Sequence, residues 1–218
     1  MSKELVNQHY YLVSLIVMLA AFAIFFMSYE RKKPQARELV TLSVMSAIAV
    51  ASRAAFAMTP FFKPISGIIM ITGMAFGPGA GFLTGSVSAF VSNFLFGQGP
   101  WTPWQMFAYG LGGAVAGFLY KKGIMNEERK ARTAIIGYVI IQFLVGPILD
   151  VCAIFTMGQP VTSAYAVAIF GSGVIPNAIH GLATFLTLFL VGKPMMEKLG
   201  RMKLKYGMMQ NDEEWRDV

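Results

Sequence analysis

The chain has 218 residues, of which 56% are hydrophobic and only 13% charged, and its mean hydropathy is +0.57. A soluble domain carries about 25% charged residues, so this composition excludes a water-soluble globule. The apolar residues also gather into runs of roughly 17 to 24, the length that crosses a bilayer core of about 30 Å. One cysteine, Cys152, excludes an intrachain disulfide framework and multi-cysteine metal sites. The two histidines, His9 and His180, are far apart and form no metal-ligand spacing, so no metal site is expected.

In chain order, hydrophobic spans are expected at 10–28, 39–58, 65–76, 80–96, 104–120, 133–156 and 173–191. This is an all-α polytopic membrane fold: a six-helix bundle after residue 38 plus one extra N-terminal transmembrane helix. The first span has a weak n-region, Lys3 being offset by Glu4, and its strong charges follow it (Arg31, Lys32, Lys33). That pattern predicts an uncleaved anchor with its N-terminus outside rather than a signal peptide. Residues 1–35 are thus an anchor and basic linker, 36–195 the membrane domain, and 196–218 a charged tail. The 65–76 span is short, so it either leans on its neighbours or crosses incompletely.

Charge tests this topology. With the 30–38 loop inside, fifteen of the eighteen Lys and Arg residues fall in inner segments, and the outer segments hold only Lys3 and Lys63. The positive-inside rule demands that asymmetry. The net charge of +7 is therefore topology plus attraction to anionic lipid, and nucleic acid is not an expected partner.

Polar side chains within the spans are few: Arg53, Asn93, Gln142, Asp150, Asn177 and His180, with Gln105 at a helix entrance. All but Gln142 fall near the outer ends of their helices, within roughly 10–12 Å of the surface at about 1.5 Å per residue. Each alone can snorkel or cap a helix end. Together, from five helices, they predict an outward-facing polar cavity, since such groups in hydrocarbon are costly without a partner or water. Arg53 and Asp150 are candidates to pair across it. The outer connections add Phe62, Gln98, Trp101, Trp104 and Tyr165 within stretches rich in Pro and Gly. Their flat faces suit a ring-bearing ligand, although an interfacial aromatic belt uses the same residues. Pro176, beside Gly171 and Gly173, marks either broken helix near the cavity or a helix entrance at Gly173.

Glycines at four-residue spacing (Gly73, Gly77, Gly81, Gly85; Gly113, Gly117) predict close helix packing. Ala47, Ala51 and Ala55 share one helix face, which docks either on the chain's own neighbours or on a partner helix.

The six-span block over about 36–195 resembles the substrate-binding S component of energy-coupling factor (ECF) vitamin transporters. The resemblance rests on the Ala47/Ala51 stripe, the short second span, the basic inner loops and the polar outer ends. Its nearest match is Phe76-Gly77-Pro78-Gly79-Ala80-Gly81-Phe82, followed by Ser92-Asn93-Phe94 and Gly97-Gln98-Gly99-Pro100-Trp101-Thr102-Pro103-Trp104-Gln105-Met106. In these segments it looks like the cobalamin-type subgroup.

The resemblance implies a plasma-membrane subunit of a prokaryotic importer, with its C-terminus cytoplasmic and the vitamin bound as substrate rather than cofactor. Its partners would be a membrane coupling protein, or T component, and two cytoplasmic ATPases. Ala47 and Ala51 would occupy the contact with the coupling protein. The chain has no G-x-x-x-x-G-K-[ST] loop, in keeping with ATPases on separate chains. For cobalamin, Asn93, Gln98, Gln105, Tyr165 and Asn177 would supply hydrogen bonds, and Phe62, Trp101 and Trp104 would pack on the corrin. Arg53 would reach a phosphate or stay paired with Asp150, and His180 would either pack or meet the cobalt. Riboflavin or another ring-bearing vitamin would use the same residue types. An intramembrane enzyme lacks a catalytic motif here. A secondary transporter is a weaker alternative, because no internal repeat or midplane charge site is evident.

Overall fold

The computed structural model describes residues 36–157 and 159–207, together with residues 12, 15, 16, 19, 22 and 23. Most of the expected 10–28 span, the basic linker and residues 208–218 of the tail lie outside the described residues. The helices are α1 (Ala36–Ala55), α2 (Ile65–Phe76), α3 (Pro78–Phe96), α4 (Thr102–Lys121), α5 (Lys130–Ile140), α6 (Gly146–Thr156) and α7 (Ser163–Tyr206). A π-helical turn, Ile141–Val145, joins α5 to α6 in one rod of 27 residues. Six rods therefore make up the described bundle, and no strand occurs among the described residues.

By length and composition, α1, α3, the α5–α6 rod and α7 are each apolar enough to cross a membrane. Helix α2 is too short to do so alone at 12 residues, about 18 Å, and the structure shows how that is tolerated. Every residue of α2 except Ala75 is buried, with α1, α3, α4 and α7 packed around it. A helix that is hydrophobic all round belongs in a core, and α2 is the core of this bundle.

Glycines set the tightest contacts. A Cβ built on Gly113 of α4 would lie 2.5 Å from the Gly81 carbonyl oxygen of α3, and one on Gly81 would lie 2.5 Å from the Gly113 oxygen. Gly73 of α2 meets the same Gly113 carbonyl, and Gly85 meets that of Tyr109. Backbone therefore touches backbone where α2, α3 and α4 converge, and α3 and α4 form the most extensive pair in the fold. The expected close packing of helices is what the glycines provide. Between α2 and α3, Gly77 adopts φ 92°, a conformation that L side chains rarely enter, and Pro78 follows at the first turn of α3.

Several boundaries differ from the sequence expectation. Helix α1 ends at Ala55 instead of 58, because Lys63 Nζ donates to the freed carbonyl oxygens of Phe56, Ala57 and Thr59 at 2.5, 3.1 and 3.0 Å. Helix α7 spans 44 residues rather than 173–191. Its start is fixed by Thr162, whose Oγ1 accepts the Tyr165 amide at 3.1 Å. Pro176 and Pro194 lie inside it, so neither Gly173 nor Pro176 marks an entrance or a broken segment. Tyr165 consequently sits in the first turn of α7 rather than in a connection. The π-turn has its own cause: Pro147 carries no N–H, and its ring would crowd the carbonyl of Phe143. The ladder widens there, and the Gly146 amide reaches back to the Ile141 oxygen.

The two ends of the bundle differ. At one end Arg37 of α1 donates to the Tyr206 carbonyl of α7, and Lys193 pairs with Glu128 at 2.6 Å. This is the basic end. The opposite end carries the close of α1, the 56–64 and 97–101 connections and the start of α4.

Candidate functional site

The polar side chains expected to line one outward-facing cavity divide instead into three separate groups. The first joins α1, α3 and α4. Arg53 is 9% exposed, and its Nη1 donates to Ser92 Oγ at 2.5 Å and to Asn93 Oδ1 at 3.0 Å. Asn93, 1% exposed, passes the network on: its Nδ2 donates to Gln105 Oε1 at 2.7 Å and Thr102 Oγ1 at 3.1 Å. Thr102 in turn donates to Gln98 Oε1 at 2.8 Å and accepts the Gly99 amide. Asn93 is suited to this junction because its amide presents acceptor and donor together. The guanidinium also lies 4.5 Å from the centre of the Phe96 ring, and Lys63 Nζ lies 5.7 Å from the same ring.

The second group joins α2, α4 and α7. His180 Nε2 and Ser66 Oγ are 2.9 Å apart, and Tyr109 meets the imidazole edge-on at 5.8 Å. The packing reading of His180 fits this enclosure. The third group joins α6 to α7: Asn177 Nδ2 donates to Asp150 Oδ2 at 3.0 Å. Two glycines make that crossing possible, since Asn177 sits over Gly146 and the Asp150 carboxylate over Gly173.

Arg53 and Asp150, candidates to pair, do not meet in this arrangement. Among the described residues no ion pair joins them. Helix α1 packs on α2 and α3, whereas α6 packs on α4 and α7, so each charged group finds a neutral amide on its own neighbour.

The aromatic candidates divide similarly. Trp104 is buried at 6% exposure, packs with Cys152 and stacks on Phe155 at 6.4 Å. Leu15 of the N-terminal segment joins this cluster, and Phe22 lies 5.6 Å from Phe82. Trp101 is 40% exposed and donates to the Gly97 carbonyl, and Phe62 packs on Phe56. Ala47, Ala51 and Ala55 all lie on the exposed face of α1. Gln142 falls in the π-turn, where its Oε1 is buried.

Sequence reasoning passed over Lys63, Ser66, Ser92, Thr102 and Tyr109. Only Lys63 carried a signal, as the lone cation of the 59–64 connection.

Buried polar atoms without a partner are few in folded proteins, yet three of the expected site residues each hold one: Arg53 Nε, Trp104 Nε1 and the Tyr165 hydroxyl. Thr84, Ser88 and Gln142 hold the others among the described residues.

A sequence profile of the ECF-type riboflavin transporter S component matches residues 33–199, which takes in all of α1 to α6 and most of α7. The chain belongs to that family. Its apolar helices are thus those of the S component of an ECF-type vitamin transporter. A UPF0397 protein of Clostridium perfringens (strain SM101 / Type A) is 24% identical over 152 residues, covering 66% of this chain and 75% of that protein. No solved structure matches the chain.

Proposed function

We propose that this S component captures a ring-bearing vitamin, cobalamin in the first instance, at the end of the bundle that holds Arg53, Asn93 and Gln105. The observation that carries this reading is the set of unpartnered buried polar atoms on Arg53, Trp104 and Tyr165, which come from α1, α4 and α7. Desolvated donors of this kind cost about 1–3 kcal/mol each when left unmet, and a ligand rich in acceptors removes that cost. Cobalamin carries peripheral amides and a phosphodiester, which suit the amides of Asn93, Gln98, Gln105 and Asn177 and the charge of Arg53. Riboflavin is the second reading, favoured by the description of the matching family, with Trp101, Trp104 and Phe62 as surfaces for its flat ring system.

Equilibrium binding of cyanocobalamin and of riboflavin to the full chain in detergent tests the proposal. Cyanocobalamin is expected to bind with a nanomolar Kd, near −12 kcal/mol, and riboflavin far more weakly. The opposite order would replace cobalamin by riboflavin, and binding of neither would overturn the ring-bearing vitamin pair.

The importer reading assigns the exposed Ala47, Ala51 and Ala55 face to a separate coupling protein that works with two ATPases at the basic, cytoplasmic side. Small residues let helix backbones approach closely in lipid. Ala51→Trp is therefore expected to leave vitamin affinity within about twofold and to abolish ATP-driven uptake in cells that carry the whole transporter. Normal uptake by Ala51→Trp would remove this face from the docking surface.

A further inference from the structure

We propose that Arg53 and Lys63 form an anion subsite that receives a phosphate-ester or carboxylate group of the transported molecule. The inference deepens the vitamin-capture reading above and rests on it for the source of the anion.

Two cations flank one ring, Phe96, from α1 and from the connection that follows it. Neither has a carboxylate partner among the described residues, whose ion pairs are Lys193–Glu128 and Arg201–Glu197. The one carboxylate within the described spans at this end, Asp150, is held by Asn177 on α7. Arg53 is nine-tenths buried, its Nη1 is used by Ser92 and Asn93, and its Nε has no partner. A guanidinium presents its donors as a planar fork matched to phosphate and carboxylate, and here part of that fork is unused.

Lys63 donates to three carbonyl oxygens, which hold its ammonium beside the end of α1, where its charge rather than a free N–H acts on an anion. Burial, and then the charge of Arg53, hold its pKa below the ordinary lysine value. Two like charges set beside one ring raise one another's energy, and an anion bound near them reverses that term. A buried cation supported only by neutral dipoles is costly, which gives an anionic ligand a larger gain here than at an exposed lysine.

The full chain, purified in a neutral maltoside detergent, is heated with phenyl phosphate, with phenol plus sodium chloride at equal ionic strength, or with phosphatidylglycerol in mixed micelles. Phenyl phosphate is expected to raise the wild-type Tm by about 2–4 °C over the phenol control. The rise should vanish in Arg53→Gln and shrink in Lys63→Gln. Should Arg53→Gln fold poorly, Asn93→Asp gives the second variant, since it sets a carboxylate against Nη1 and is expected to remove the response while the protein stays folded. No rise in the wild type, or an equal rise in every variant, overturns the subsite. A rise with phosphatidylglycerol alone overturns it in favour of a lipid headgroup.

Binding of cyanocobalamin against dicyanocobinamide, which lacks the phosphodiester, separates this inference from the reading beneath it. The subsite predicts about a tenfold preference for cyanocobalamin that closes in Arg53→Gln. Corrinoid binding without a phenyl phosphate response would sink the subsite and keep the vitamin reading. A phenyl phosphate response without any vitamin binding would keep the subsite and sink the vitamin reading.

Discussion

Gly113→Ala is expected to destabilise the membrane domain by about 3 kcal/mol or more, a large effect for one methyl group. The added Cβ would meet the Gly81 carbonyl oxygen at 2.5 Å, the Gly81 carbonyl carbon at 2.7 Å and Ile69 Cγ2 at 2.7 Å. Two of these atoms are backbone and cannot rotate aside as a side chain can. Relief requires α3 and α4 to separate, and this is the most extensive helix pair in the bundle. Separation would also pull Gly73 of α2 off the Gly113 carbonyl, so three helices lose contact together.

The same substitution at Gly200 supplies the control. A Cβ there meets nothing within 4 Å, and the residue lies inside α7. Gly200→Ala should therefore stabilise the chain by about 0.5–1 kcal/mol through helix propensity alone. Thermal unfolding of the two variants beside the wild type checks both signs. A Gly113→Ala protein as stable as the wild type would disprove the backbone contact.

How much of this was legible in the sequence varies with the kind of information involved. Hydropathy runs locate the rods because a bilayer demands about 20 apolar residues, and α2 stood out as short for the same reason. The polar ends of α1, α3 and α4 were also legible, since an Arg, an Asn and a Gln in apolar helices are each conspicuous. Their partners were not. Charge alone matched Arg53 to Asp150, but helix neighbours decide which groups meet, and α1 lies on α3. Gly173 and Pro176 look like a helix boundary by local rules. Gly173 is instead the space into which the Asp150 carboxylate fits, a tertiary reason that no local window contains. Hydropathy could not locate the π-turn, because a shift of one residue in an apolar run leaves it unchanged; the one signal was Pro147, which breaks the ladder without saying how the ladder adjusts. Ser92 and Thr102 were missed because small hydroxyl residues are ordinary in membrane helices. Only their place beside Asn93 makes them part of a network.

That network supplies the second large prediction. Asn93→Ala is expected to cost about 2–4 kcal/mol of stability and at least about a hundredfold in vitamin affinity. The substitution removes the acceptor of one Arg53 bond and the donor to both Thr102 and Gln105. Arg53 would keep only Ser92 while remaining nine-tenths buried. Loss of the shared junction also frees α4 to shift against α1 and α3, displacing Gln105 and Trp104 from their places. Asn93→Asp separates these causes. A carboxylate at 93 accepts from Arg53 as the amide does, and the Gln105 amide can turn to donate to it. Stability should then rise, because the guanidinium gains a counter-charge. Affinity for a phosphate-bearing vitamin should fall, because the same charge now repels it. Chemical or thermal unfolding and equilibrium binding on the two variants read out both quantities. Stability and affinity must fall together in Asn93→Ala and move in opposite directions in Asn93→Asp. Were both to fall in Asn93→Asp as well, Asn93 would be a packing residue, and the charge of Arg53 would owe nothing to the ligand.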